Sequence, residues 1–115
     1  MAAGQIDQET ARQIQELQIL EQNLQNFLLQ RQAFMLEKGE TENALEESKK
    51  SSEDIYKIIG QIMLKSKKAA VEKELQHKKE IIELRVKSIE KQEELIKSQL
   101  EKKRDEVMKK LRGQQ

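Results

Sequence analysis

At 115 residues, with 36% hydrophobic but only 3% aromatic side chains, the chain has room for one domain and too little large apolar surface for a thick globular core. Charged residues make up 37% and proline is absent, a composition of long helices rather than disorder, and the net charge is only +1; a disordered charged tail would lack the apolar repeat that this chain carries. The absence of cysteine excludes a disulfide framework, a thiolate metal site and a thiol nucleophile.

The first ten residues lack the basic and apolar regions of a secretory signal, and no stretch approaches the roughly 20 apolar residues of a membrane span. A soluble protein of the cytoplasm is expected, with no membrane contact.

A first helix is predicted over residues 7 to 50, with Asp7 as its N-cap. Apolar residues at Ile14, Leu17, Leu20, Leu24, Phe27, Leu28, Phe34, Met35 and Leu45 recur at spacings of three and four and share one broad face. Gly39 weakens this helix by about 1 kcal/mol relative to alanine without ending it.

The rhythm then changes. After Lys49, Lys50, Ser51 and Ser52 comes a dense run rich in β-branched residues, Ile55, Tyr56, Ile58, Ile59, Ile62, Met63 and Leu64, centred on Gly60. Two short strands over residues 54 to 65 with a Gly60-Gln61 turn fit, since glycine at the first central position accepts the positive φ of a type II′ hairpin. A helix continuing through the stretch is the competing reading. An isolated two-stranded hairpin is marginal in water, so one this apolar is expected to join other sheets.

A second helix is predicted over residues 67 to 111, with Ser66 as a candidate N-cap. Leu75, Ile82, Ile89 and Ile96 recur every seven residues, and Val86, Leu100 and Val107 fill the intervening seam position, interrupted by Lys79, Glu93 and Lys103. Residues 1 to 47 hold three Lys/Arg against nine Asp/Glu, and residues 48 to 115 hold nineteen against twelve, so the two halves attract when laid side by side. The expected fold is mostly α: a long antiparallel two-helix coiled coil joined by a short β-hairpin, a single domain about 65 Å long with both chain ends together.

Little in the chain suggests catalysis. His77 is the only histidine and reads as a solvated helix residue, the four glycines are isolated rather than set in a phosphate-cradling loop, and a thin rod offers no pocket to perturb a carboxyl. No cofactor and no metal are expected. Lys102, Lys103, Arg104, Lys109, Lys110 and Arg112 form a basic end without interleaved aromatics, which reads as a solvated terminus matched to the helix dipole rather than a nucleic-acid site. Ile6, Ile14, Leu17, Ile19 and Leu20 at the start, with Leu100, Val107, Met108 and Leu111 at the end, are expected to meet at the hairpin's far tip. Each serves either the seam or a weak, adaptable binding surface, and Ile19 and Met108 fall off the seam.

The run Asp54-Ile55-Tyr56-Lys57-Ile58-Ile59-Gly60, followed by Ile62-Met63-Leu64-Lys65, resembles the strand-turn-strand signature of prefoldin β subunits, especially archaeal ones. The stretch from Leu84 to Glu94 resembles their second helix; Gln30-Arg31-Gln32 and Asn43-Ala44-Leu45-Glu46-Glu47 resemble their first. The resemblance implies a non-enzymatic, ATP-independent holdase, a hexamer of two α-type and four β-type subunits joined through their hairpins. It implies that unfolded proteins are held at the coiled-coil tips and passed to a group II chaperonin. Assembly would then fall on Ile55, Tyr56, Ile58, Ile59, Gly60, Ile62, Met63 and Leu64, and client contact on the nine apolar residues near the two ends. A structural coiled-coil scaffold or adaptor without client binding is the alternative; it accounts for the heptads and leaves the apolar hairpin unexplained.

Overall fold

The computed structural model describes residues 7–52 and 54–113. Helix α1 (Gln8–Lys50) leads into strands β1 (Ile55–Ile59) and β2 (Ile62–Ser66), and helix α2 (Lys68–Gly113) follows. The fold is that of two long helices of an antiparallel coiled coil joined by a two-stranded hairpin. Two compact units divide it: Met1–Gln30 with Ile89–Gln115, and Arg31–Ser88. Among the described residues no helix is long and apolar enough to cross a membrane.

Asp7 starts α1 as the sequence predicts. Its carboxylate accepts from the Thr10 amide at 2.6 Å, and its carbonyl accepts from the Ala11 amide at 3.0 Å, so two amides of the first turn find partners. At the other end, Lys49 and Lys50 lie in the last turn, where cations match the helix dipole. Lys68 Nζ, from the first residue of α2, donates to the carbonyls of Lys49 and Ser51, both at 3.0 Å.

Ser66 does not cap α2. It pairs with Ile55 as the last residue of β2, and this ladder holds it extended one step too early. Lys67 takes the cap position, its carbonyl accepting from the Val71 amide at 3.1 Å, although its side chain has no acceptor to offer. The end of α2 is tied by Arg112 Nε, which donates to the Met108 carbonyl at 3.4 Å.

In the unit Arg31–Ser88, Leu45, Ile82 and Val86 are buried, and so are Thr41 and Ser48. The α1 seam here runs Phe34, Lys38, Thr41, Leu45, Ser48, alternating steps of four and three. Met35 departs from the apolar face expected for it and is exposed. A spacing of three or four admits either Phe34 or Met35; the 3.5-residue seam takes Phe34 and turns its neighbour to water. The Arg85 guanidinium covers the Phe34 ring, 5.7 Å from its centroid. Thr41 Oγ1 donates to the Glu37 carbonyl at 2.8 Å, which allows a short polar side chain to be buried in the seam. Lys38 pairs with Glu83 at 3.8 Å, and Lys78 with Glu37 at 3.6 Å.

In the unit formed by the two chain ends, Ile89, Glu93, Leu100 and Val107 of α2 are buried, with Thr10 of α1. Leu17, Leu20, Leu24 and Phe27 face the seam half-buried. Ion pairs run antiparallel along it: Glu9 with Lys110 at 3.6 Å, Glu16 with Lys103, and Glu21 with Arg104 at 3.3 Å. Acidic residues of the first helix meet basic residues of the second, as their charge balance predicts.

Candidate functional site

The hairpin concentrates exposed apolar surface. β1 and β2 pair antiparallel in the register Ile55↔Ser66, Tyr56↔Lys65, Lys57↔Leu64, Ile58↔Met63 and Ile59↔Ile62. Gly60 has φ +60° and no other described residue has positive φ, so Gln61 does not, which fits a type II′ turn and not type I′.

Paired residues share a face. Ile55, Lys57, Ile59, Ile62, Leu64 and Ser66 form one; Tyr56, Ile58, Met63 and Lys65 form the other. The first face turns toward the helices at its base, where Ile55, Lys57 and Ser66 are half-buried and Lys57 Nζ reaches a Glu74 carboxylate oxygen at 2.7 Å. Beyond the base nothing covers either face: Ile58 is 67% exposed and Met63 64%, and Tyr56, Ile59, Ile62 and Leu64 are exposed too. Covering such a side chain contributes about 1.5 to 3 kcal/mol if burial is complete. A sheet apolar on both faces, with both outer edges unpaired among the described residues, is exposed surface of the kind that ordinarily marks an interaction site. All eight predicted assembly residues lie on this one element.

The residues predicted for client contact separate. Leu100 and Val107 are 3% and 7% exposed, so they pack the seam and present no surface. Ile14, Leu17, Leu20 and Leu111 are half-buried. Ile19, 60% exposed, and Met108, 52% exposed, lie off the seam as their spacing predicts. Ile6 lies outside the described residues. Ile19 and Leu20 line a groove of about 500 Å³ whose sides are Glu16, Lys102, Lys103 and Glu106. The hydrogen bond from Lys103 and its charge, with Arg12 adding, hold the Glu16 carboxyl below its ordinary value despite partial desolvation.

Two features were not anticipated from the sequence. Lys57 sits among isoleucines yet faces inward to Glu74, a placement that strand alternation signals once the register is known. Leu29, Leu36, Leu84 and Leu95 are exposed on the helices, where a heptad reading leaves them on outer positions. Among the described residues, no group of three or more His, Cys, Asp or Glu is placed to hold a metal ion.

Comparison with known proteins agrees with this geometry. The model of the family "Prefoldin subunit" matches residues 11–114. A prefoldin subunit beta of Methanothrix thermoacetophila is 35% identical over 107 residues, covering 91% of this chain and 89% of that one. A prefoldin subunit beta of Pyrobaculum islandicum is 40% identical over 90 residues, covering 76% and 72%. The crystal structure of the prefoldin beta subunit from Thermococcus strain KS-1 superposes with a TM-score of 0.87 at 27% identity, covering 94% of this chain and 96% of that chain. Sequence, hairpin and helices therefore agree: the chain belongs to the prefoldin subunit family and is similar to its β members.

Proposed function

We propose that the chain is one arm of an ATP-independent holdase of the cytoplasm, a hexamer of two α-type and four β-type prefoldin subunits joined through their hairpins. The observation that carries this reading is the hairpin exposed on both apolar faces, Ile58 and Met63 above all. Unfolded proteins are held at the tips of several arms and handed to a group II chaperonin. Ile19 and Met108 supply exposed contact there, with Ile14, Leu17, Leu20 and Leu111 at their margins. Each contact is weak, but arms around one cavity raise the effective concentration, so affinity adds without becoming irreversible. No catalysis, nucleotide or metal is needed for holding. A scaffold that uses only its helices leaves this hairpin without a role.

The test combines two measurements. The chain mixed with an α-type subunit should give a hexamer by native mass spectrometry, and the hexamer should suppress aggregation of a denatured protein equally with and without ATP or chelator. Self-association through the helices alone, with no hexamer, would overturn the proposal.

A further inference from the structure

Where the hairpin meets the helices, the seam is underfilled. Ser48 occupies the seam position one step after Leu45 and is 7% exposed, in a place where a coiled coil ordinarily puts leucine. Ala44, one turn earlier, is also small. A pocket of about 400 Å³ opens beside them, lined further by Ile55 and Tyr56 of β1 and by Val71 and Leu75 of α2. Most of its exposed wall is apolar, with Glu47 and Ser51 also on its lining and the Lys57 to Glu74 ion pair contributing polar groups.

Independently of this shape, the Ser48 hydroxyl has no hydrogen-bond partner among the described residues. A buried hydroxyl left unsatisfied is costly, and serine in a helix ordinarily returns to the carbonyl four residues back, as Thr41 does here. Ser48 therefore combines a void with an unanswered polar atom, and both call for the same occupant: an aliphatic stem ending in a hydrogen-bonding group.

The pocket is continuous with the exposed hairpin. Tyr56 belongs both to its lining and to the uncovered outer face, and Ile55 to its lining and to the first residue of β1. β1 therefore contributes at once to the pocket and to the uncovered sheet.

We infer that this pocket is a socket for one side chain of a neighbouring prefoldin subunit, an aliphatic stem tipped by a hydroxyl or amide that bonds to Ser48 as the strands join. This rests on assembly through the hairpin, proposed above, and adds a second, knob-like contact at its base. Leaving the seam short of a leucine weakens the isolated subunit in exchange for a joint with its partner.

The test turns on opposite signs in two measurements. Ser48→Leu fills the seam, so it should raise the thermal midpoint of the isolated chain while weakening its assembly with an α-type subunit about tenfold or more by sedimentation. Ser48→Ala removes only the hydroxyl, and should leave the midpoint nearly unchanged while loosening assembly roughly fivefold, the size of one hydrogen bond. If Ser48→Leu assembles as tightly as wild type, the socket does not exist. If that variant folds poorly, Ser48→Ala decides alone, and unchanged assembly in it overturns the inference. A wild-type chain that forms no assembly sinks the hairpin proposal and the socket together, whereas a wild type that assembles beside unaffected variants sinks the socket only.

Discussion

Lys103 of α2 reaches across to Glu16 of α1 and, helped by Arg12, holds that carboxyl below the ordinary value of 4.5. A carboxyl whose folded value is lowered stabilises the fold above its unfolded value, and that stabilisation is lost as pH falls through the folded value. The protein should therefore lose part of its thermal stability on acidification below about pH 4.5. Glu16→Gln should melt lower than wild type at pH 7 and by less at pH 2, as followed by circular dichroism. An equal gap at both pH values would show that the pair contributes nothing through its charge.

Gly39 lies in the middle of α1 in helical backbone, and a Cβ built on it meets nothing within 4 Å. Gly39→Ala removes unfolded-state freedom without a clash. It should stabilise the chain by about 0.5 to 1 kcal/mol in urea unfolding. A loss of stability would mean that α1 needs the glycine for a conformation other than this one.

Placing lysine at both Ile58 and Ile62 puts charge on each face of the hairpin, since Ile58 pairs with Met63 and Ile62 with Ile59. Burying either charge costs several kcal/mol, on the order of 3 or more. Hexamer yield by native mass spectrometry should collapse while helical content stays near wild type. Normal yield would place the joint elsewhere.

Ile19→Ser combined with Met108→Ser removes exposed apolar surface and leaves the seam untouched. Aggregation suppression should fall several-fold, with helicity and assembly mass unchanged. Leu100→Ala is the contrasting variant: Leu100 is buried, so its truncation should cost about 2 to 4 kcal/mol of stability. Full holding activity in the double serine variant against several unrelated clients would move the binding surface to the flanks of the helices.

The hairpin was legible because three signals coincide there: a break in helical rhythm, a run of β-branched residues, and a glycine at the turn position that demands positive φ. The α2 seam was legible for its clean repeat. The α1 seam was not, because Thr41 and Ser48 are polar and look like surface in sequence, yet are buried by position alone. Met35 looks like core and is exposed for the same reason. Leu100 and Val107 could be seam or surface by spacing, and only packing separates them from Met108. The pocket at Ser48 has no sequence signal, since a void is made by what neighbours fail to fill.

The clamp from Lys68 to the carbonyls of Lys49 and Ser51 bears on the order of folding. It joins residues fewer than twenty apart in the chain, whereas the pair from Glu9 to Lys110 closes a loop of about a hundred. Loop closure grows costlier with length, though slowly, and contacts formed early shorten every loop left to close. Contacts beside the turn therefore close the shortest loops, which favours helix pairing that begins there. Because α1 precedes both the hairpin and α2 in the chain, the leucines and phenylalanines of its seam have no partner helix until α2 is made.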